Sequence, residues 1–321
     1  MFDVTAIGEL LIDFTSPASL PDGYPVLEAH PGGAPANFLA ALARYGAKTA
    51  LLTKVGTDAF GKRLIQTVQS LGVDGRGIIC DETVFTTLVF VTLDESGDRE
   101  FSFARKPGAD TCLRADEIDL SVLEESRVLH FGTLSLTNEP SRSATRHAVE
   151  YASARGKLIS FDPNLRRPLW PDPADAKEQM LYGLRKADVV KISDDEMDFL
   201  FGKDPKNGAR HILDCFGAKL IYVTMGKSGC YFSNGTAAGF VENIDAGQKT
   251  VDTTGAGDIF GGSAMAQVLR IGKPVEQLNE SELRQIVRFA CAAASLSTTR
   301  YGGITSVPDE KEVLALLEKN A

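Results

Sequence analysis

Residues 252–258 read Asp252-Thr253-Thr254-Gly255-Ala256-Gly257-Asp258, and an apolar segment follows them directly. Small residues permit a tight turn before a helix, whose first N–H groups have no partner inside the helix and carry the positive end of its dipole. Such a terminus can bind a phosphate group or a developing oxyanion. Asp258 would lie beside that site, either as a proton acceptor for a nucleophile or as an ordinary acid of a helix N-terminus.

The segments before this stretch alternate between strand and helix patterns, an order that is typical of a mostly parallel sheet with helices on both faces. The last third of the chain is predicted to be helical. The predicted strands are 4–8, 49–55, 128–131, 157–161, 189–192 and 220–224. The predicted helices are 34–45, 58–71, 141–154, 174–186, 258–271, 281–298 and 309–319.

Two segments interrupt this alternation. Residues 84–93 and 99–105 are rich in β-forming residues, with a turn predicted at 94–98, and Phe101 and Phe103 fall on one face of a strand. Such a hairpin is either a lid or oligomer contact, or a surface hairpin that covers a sheet edge. Residues 16–30 contain three prolines and are predicted to form a loop or an edge strand.

Composition excludes several classes of protein. The chain has 321 residues, of which 43% are hydrophobic and 24% charged, which argues against intrinsic disorder. The net charge of −9 argues against a nucleic-acid binder and against a cationic membrane-surface protein. An anionic ligand would therefore need a local site.

Localisation signals are missing from the sequence. The first basic residue is Arg44, so no signal peptide is expected, and no apolar stretch is long enough to predict a membrane span. The five cysteines are scattered and contain no C-x-x-C pair, which indicates reduced thiols in a cytoplasmic protein. The four histidines have no metal-binding spacing.

Two nucleotide-binding motifs are incomplete. Gly226-Lys227-Ser228 resembles the end of a P-loop, but Ile221 stands where its first glycine is required. Phe260 stands where the dinucleotide fingerprint requires its third glycine. Both absences argue against Walker-type NTPases and Rossmann dehydrogenases.

A second glycine-rich stretch reads Pro31-Gly32-Gly33-Ala34-Pro35-Ala36-Asn37 and leads into a predicted helix. Paired glycines allow a ligand to approach the backbone closely, and Asn37 would present a donor and an acceptor that suit a polyol. The alternative is a simple turn followed by a helix start.

Together, and in this order, the two glycine-rich stretches resemble the signatures of the ribokinase family, the PfkB carbohydrate kinases. Within that family the chain is most similar to bacterial and plant fructokinases. The resemblance rests on residues 8–14, on Asp162-Pro163-Asn164-Leu165-Arg166 with Pro168-Leu169-Trp170, and on Lys191-Ile192-Ser193. Many family members have asparagine where Ser193 stands, a departure that weakens the inferred metal shell.

The resemblance implies a fold and an assembly. The fold would be α/β, a ribokinase-like three-layer αβα sandwich with a mostly parallel central sheet and a small β lid. Residues 1–321 would form a single kinase domain, with the lid built from about 14–31 and 83–108. A homodimer through the β lid is expected.

The resemblance also implies roles for individual residues. Asp258 would be the catalytic base, and the amides of Gly255, Ala256 and Gly257 the anion hole. The sugar would be bound by Asp13, Gly32, Gly33, Asn37, Phe101, Phe103, Arg105, Asn164 and Arg166. For Arg166, sugar or phosphate contact and a surface ion pair are both open.

For the donor side, the resemblance implies ATP, Mg²⁺ and, as a further candidate, K⁺. The nucleotide pocket would be formed by Lys191, Glu196, Thr224, Gly226 and Gly229, with Glu196 acting through magnesium-bound water. A monovalent-cation loop, mostly of backbone oxygens, would include Asp252, Thr254, Ser297, Arg300, Gly302 and Ser306.

The leading hypothesis is therefore ATP-dependent phosphorylation of D-fructose at its 6-hydroxyl. The nearest alternative is a related kinase for 2-keto-3-deoxygluconate or another ketose. A catalytically inactive sugar- or nucleotide-binding regulator is the alternative from a different class. Asp258 and the intact glycine run argue against it.

Overall fold

The fold, taken from a computed structural model that describes residues 1–19, 24–93 and 99–320, contains two β-sheets. The strands in chain order are β1 (Phe2–Ile7), β2 (Leu11–Ser19), β3 (Pro25–Gly32), β4 (Thr49–Gly56), β5 (Val73–Asp74), β6 (Ile78–Asp81), β7 (Leu88–Leu93), β8 (Arg99–Ala104), β9 (Ser126–Gly132), β10 (Leu158–Asp162), β11 (Val189–Ser193), β12 (Leu220–Thr224), β13 (Gly229–Ser233) and β14 (Ala238–Glu242).

The larger sheet has ten strands, in the order β14-β13-β12-β11-β10-β9-β1-β4-β5, with β6 also paired to β4. The pairs from β5 through to β12 are parallel, and β13 and β14 add two antiparallel strands at one edge. Parallel strands are covered on both faces, which is why they are continuous apolar runs in the sequence. The predicted mostly parallel sheet is confirmed.

The helices cover both faces of this sheet. They are α1 (Ala34–Arg44), α2 (Ala59–Ser70), α3 (Leu120–Glu124), α4 (Ser141–Ala154), α5 (Pro173–Lys186), α6 (Asp194–Phe201), α7 (Pro205–Phe216), α8 (Ala256–Ile271), α9 (Glu280–Ser297) and α10 (Glu310–Lys319). Each predicted helix and strand of the alternating region is present, with its ends shifted by no more than two residues.

Two separate apolar cores lie on the two faces of the sheet. One core holds Leu39 of α1, Ile259 of α8 and Ala290 of α9, and the other holds Val149 of α4 and Met180 of α5. Because each core joins a layer of helices to one sheet face, the architecture is the expected three-layer αβα sandwich.

The smaller sheet has the order β3-β2-β7-β8. Strands β7 and β8 form the hairpin expected from the sequence, and β3 is an edge strand. The predicted turn at 94–98 and residues 20–23 lie outside the described residues. The core of this sheet is small: Leu11, Val89 and Val91 are buried in it, and Phe101 and Phe103 pack against them.

The carboxyl ends of the parallel strands meet at one edge of the larger sheet, the usual ligand side of such sheets. Asp162, Ser193 and Thr224 end β10, β11 and β12 there. Among the described residues, no helix combines the length and the apolar character that a membrane crossing needs.

Candidate active site

Asp258 lies in the first turn of α8, just after Gly255, whose φ of +76° suits glycine. Its side chain is buried, and both carboxylate oxygens accept a hydrogen bond. Asn37 Nδ2 donates to Oδ2 at 2.8 Å, and Asn164 Nδ2 donates to Oδ1 at 3.3 Å. The carboxylate is thereby held from two sides by groups that are distant in the sequence.

The environment of Asp258 makes it a better proton acceptor than a solvated aspartate. Burial raises its pKa to about 6, and the nearby Asp162 acts in the same direction. Lys191, the hydrogen bond from Asn37 and the charge of Arg166 lower the pKa and limit the rise. Asp258 is therefore ionised at neutral pH yet basic enough to take a proton.

This pKa predicts the acid limb of the pH profile. Only ionised Asp258 can accept a proton, so kcat/KM for the expected sugar substrate should fall as the pH drops through about 6. The measurement is the initial rate from pH 5 to pH 9 at a subsaturating concentration of the sugar. A profile that stays flat down to pH 5 would contradict the assignment.

The glycines before Asp258 border a large cavity that is open to solvent. Gly255 and Gly257 line it. A Cβ at Gly255 would lie 2.8 Å from Gly303 Cα and 3.0 Å from Asn37 Nδ2, so only glycine fits there. The Ala256 amide, predicted as a third member of the anion hole, instead donates to the Thr253 carbonyl at 3.3 Å. The role of the Ala256 amide in an anion hole stays a prediction.

A smaller cavity beneath Asp258, here called the acceptor cavity, has one apolar and one polar side. The apolar side carries Phe101, Phe103, Leu11, Val89 and Leu134. The polar side carries Glu9, Asp13, Asn37, Asn164, Arg166 and Asp258. Apolar walls with a few convergent polar groups are typical of small-molecule sites.

Asp13 is the carboxylate that faces this cavity from β2. Burial raises its pKa to about 7, and Arg166 counteracts the rise. Within the described ranges, no hydrogen bond to the Asp13 carboxylate is found. A Cβ at Gly32 would lie 2.1 Å from Asp13 Oδ2, and one at Gly33 would lie 2.4 Å from the Glu9 carbonyl oxygen. The paired glycines therefore leave room for the Asp13 carboxylate, which can accept hydrogen bonds from a ligand.

Glu9 is a cavity residue that the sequence analysis did not assign. Its Oε1 accepts the backbone N–H of Ala34 at 2.7 Å, at the start of α1. Burial raises its pKa to about 7. The available signal was its position directly after Gly8, at the carboxyl end of a buried central strand.

Arg105 does not line the acceptor cavity, which corrects its predicted role as a sugar ligand. Its side chain is 1% exposed. Its Nε donates to Asp110 Oδ2 at 2.8 Å, Nη1 to Thr137 Oγ1 at 2.8 Å, and Nη2 to the Leu134 carbonyl at 2.9 Å. Strand β8 ends at Ala104, so the alternation that places Phe101 and Phe103 does not extend to Arg105.

We expect Arg105→Ala to destabilise the fold, because it would leave the buried Asp110 carboxylate without its cation. Breaking a buried pair on one side typically costs about 3–5 kcal/mol. Urea unfolding followed by circular dichroism measures the change. Arg114→Ala, which removes an exposed pair with Asp116, is the control and should leave stability unchanged. Unchanged stability of the Arg105→Ala variant would contradict a structural role for the Arg105–Asp110 pair.

The larger, solvent-open cavity, here called the donor cavity, has a volume of about 1380 Å³. Among its lining residues are Lys191, Glu196, Thr224 and Gly226. Gly229 is not on its wall: a Cβ there would lie 2.1 Å from the Val241 carbonyl oxygen, so Gly229 permits the close pairing of β13 with β14. Its predicted nucleotide contact stays a prediction.

Glu196 is held rigidly at the start of α6. Its Oε2 accepts the Ser193 backbone N–H at 2.9 Å, while Ser193 Oγ accepts the Glu196 N–H at 3.2 Å. Its Oε1 accepts the Leu165 N–H at 2.6 Å. This capping box fixes the carboxylate at the cavity wall.

Lys191 brings a cation to the same wall. Its Nζ donates to Asp162 Oδ2 at 2.8 Å, and a Cβ on Gly257 would lie only 3.0 Å from it. Burial alone would lower the pKa of Lys191, but the carboxylates of Asp162, Glu196 and Asp258 outweigh burial and raise it. The ammonium group is therefore charged beside the predicted anion hole.

Asp252 ties the glycine run to the loop after α9. Its Oδ1 accepts the Thr254 N–H at 2.8 Å and its Oδ2 the Gly302 N–H at 3.0 Å. The hydroxyls of Ser297 and Ser306 donate to nearby carbonyls, and Arg300 pairs with Glu312. The described residues contain no group of three or more His, Cys, Asp or Glu side chains that could hold a metal. A cation here would rely on backbone oxygens.

Comparisons with known proteins point to one family. The model of the pfkB family of carbohydrate kinases matches residues 1–310. The probable fructokinase-2 of Arabidopsis thaliana is 41% identical, over 98% of this chain and 95% of its own length.

Two solved structures are similar over nearly the whole chain. The fructokinase of Xylella fastidiosa with bound ATP has a TM-score of 0.88 at 30% identity, covering 100% of this chain and 99% of its own. A double mutant of the Vibrio cholerae O395 fructokinase, with fructose, ADP and a potassium ion bound, has a TM-score of 0.86 at 30% identity and covers 98% of each chain.

Proposed function

The chain belongs to the pfkB family of carbohydrate kinases, and we infer from this premise that it is a fructokinase. It transfers the γ-phosphoryl group of ATP to the 6-hydroxyl of D-fructose. One observation carries the inference: Asp258 stands between the acceptor cavity and a helix N-terminus at the donor cavity. A base at that position faces both reactants.

The geometry suggests how the transfer proceeds. Asp13 accepts hydrogen bonds from the hydroxyls of the sugar, and Asn37 offers them a donor and an acceptor. These contacts orient the 6-hydroxyl toward Asp258. Asp258 takes the proton as the sugar oxygen attacks the γ-phosphorus and the bond to ADP breaks. The amides near Gly257 and the Lys191 ammonium bind the charge that develops on the phosphoryl oxygens.

The apolar side of the acceptor cavity has a separate role. Phe101 and Phe103 come from the smaller sheet, which we propose to be the lid of a single domain. Their rings, with centroids 6.5 Å apart, cover the cavity with apolar surface. Excluding water there would suppress hydrolysis of ATP in place of sugar phosphorylation.

Charge separates fructose from the sugar-acid alternative. The acceptor cavity carries three carboxyl groups, Glu9, Asp13 and Asp258, against the single guanidinium of Arg166. The carboxylate of 2-keto-3-deoxygluconate would meet the ionised Asp258 and the partly ionised Glu9 and Asp13, whose pKa values burial raises to about 7. Fructose is neutral and meets no such repulsion. Like charges at close range in a buried site oppose binding.

The donor is ATP, used with a divalent metal ion, and we propose that this ion is Mg²⁺. Asp194, Asp195 and Glu196 line the donor cavity, and Mg²⁺ is usually held by one or two carboxylates together with phosphates and water. Glu196 would act through metal-bound water, because both of its oxygens already accept backbone hydrogen bonds. When bound, the metal neutralises phosphate charge.

We further propose a K⁺ site at the loop that Asp252 fixes, a homodimer through the lid, and a cytoplasmic location. The edge strand β3 supports the dimer, because Val26 and Leu27 on it are exposed apolar residues. Sedimentation analysis tests the dimer: a monomer at micromolar concentration would contradict it.

A coupled ADP-release assay over a panel of sugars tests the function. We expect ATP-dependent turnover with fructose and little or none with 2-keto-3-deoxygluconate. Product analysis should find the phosphate on the 6-hydroxyl. Turnover with the sugar acid alone would favour the alternative kinase. ADP release that needs no sugar would indicate an ATPase, and no ADP release with any sugar would indicate an inactive regulator.

A further inference from the structure

Asp162, at the carboxyl end of β10, contacts two groups that flank the proposed base. Its Oδ2 accepts the hydrogen bond of Lys191 Nζ at 2.8 Å, and its Oδ1 accepts the backbone N–H of Asn164 at 3.2 Å. Its side chain is 7% exposed. In the described part of the chain, it is the single hydrogen-bond acceptor of the Lys191 ammonium.

The first contact fixes the position of a cation. The Lys191 ammonium lies against Gly257 at the N-terminus of α8, where the phosphoryl group would be transferred. Asp258 and Glu196 are both close enough to raise the pKa of Lys191. Without Asp162, the flexible lysine would turn toward one of these carboxylates, and a lysine paired with Asp258 would occupy the atom that must accept the proton.

The second contact supports a strained residue. Asn164 has φ of +44°, a left-handed conformation that a non-glycine residue adopts only when its surroundings hold it. Its N–H bond to the aspartate two residues earlier is a local turn of the Asx type. From this conformation, Asn164 Nδ2 donates to Asp258 Oδ1.

We propose that Asp162 is a positioning residue that fixes Lys191 and Asn164 on two sides of Asp258, an inference that rests on the proposed function. Asp162 does not line the acceptor cavity, so it acts through these two partners. It keeps the ammonium directed at the phosphoryl group and leaves the base free to take the proton of the sugar.

The test is a steady-state comparison in the full-length protein. Asp162→Asn keeps an acceptor for Asn164 but removes the charge that holds Lys191. We expect kcat to fall about 100-fold, as for a misplaced catalytic group, with the fructose KM nearly unchanged. Asp175→Asn, which removes an ion-paired carboxylate on α5, is the matched control and should keep the wild-type kcat.

A double-mutant cycle separates positioning from structure. Lys191→Met should also lower kcat, and the combined variant should be no slower than the slower single variant, because both changes disable one unit. Additive losses would overturn the proposal. Asp162→Glu, which keeps the charge, should recover most of the activity; equal loss of activity and of folding in the Asn and Glu variants would mean a structural role only.

The outcomes also distinguish a failure of the positioning role of Asp162 from a failure of the proposed function. A wild-type protein that phosphorylates fructose, with Asp162→Asn equally fast, overturns the positioning role and leaves the function intact. If the wild type uses another sugar of the panel, the fructose assignment falls and the same comparison is decided on that sugar. A wild type that turns over no sugar overturns both.

Discussion

Replacing Asp258 with asparagine is expected to lower kcat by at least about 100-fold, since a general base typically contributes 10²–10⁴-fold. The change removes the only proton acceptor that faces both cavities, within the described residues. An asparagine oxygen can keep one of the two hydrogen bonds from Asn37 and Asn164, so the fold should persist. The measurement is kcat from initial rates at saturating fructose and ATP.

Fructose binding provides the control for this variant. Calorimetric titration should give a dissociation constant close to that of the wild type, because Asp13 and Asn37 remain in place. The acid limb near pH 6 should also disappear from the residual activity. Near-normal turnover in a purified, folded Asp258→Asn protein would mean that the base is another group.

Gly257→Val should lower kcat by about 10²–10³-fold, the usual loss when a donor to a developing charge is removed. Gly257 is in α8 with ordinary helical dihedrals, so valine would not strain the backbone. Its side chain would instead enter the space beside Lys191 Nζ, only 3.0 Å from the Cβ position, and displace the ammonium from the anion hole.

The loss at Gly257 should appear in kcat more than in either KM, because the developing charge exists mainly in the transition state. Gly261→Ala is the matched control on the same helix. Its Cβ would meet Phe38 at an ordinary 3.4 Å, and its kcat should stay at the wild-type value. If Gly257→Val weakened only fructose binding, the glycine run would serve the sugar and not the phosphoryl group.

Local patterns were sufficient for most of the fold. Buried parallel strands and amphipathic helices have apolar periods within a short window, so their positions could be predicted closely. Strand β14 could not, because it lies at the sheet edge and four of its five residues are not buried, which leaves no apolar pattern. Helix α6 begins with three acidic residues and has only eight residues, too few for a clear period.

Site residues could be predicted where a glycine-rich stretch lies beside them. They could not be predicted where a single acidic residue stands without such a stretch. Asp13, Asn37 and Asp258 were found beside glycine-rich stretches. Glu9 and Asp162 were not assigned, because their hydrogen-bond partners are 25 and 29 residues away in the chain and no glycine-rich stretch marks them. The prediction for Arg105 was wrong although its partner Asp110 is only five residues away. Arg105 follows the last residue of β8, so the alternation of that strand does not predict the direction of its side chain.

The hydrogen bond between Asn37 and Asp258 spans 221 residues of sequence. A ribosome delivers these residues far apart in time, and the sugar-facing groups of β2 and α1 emerge long before α8. A nascent chain that ends before Asp258 would therefore have sugar-facing residues without a base or an anion hole. Catalytic competence is then acquired only once α8 has been synthesised, however early the sugar-facing residues have emerged.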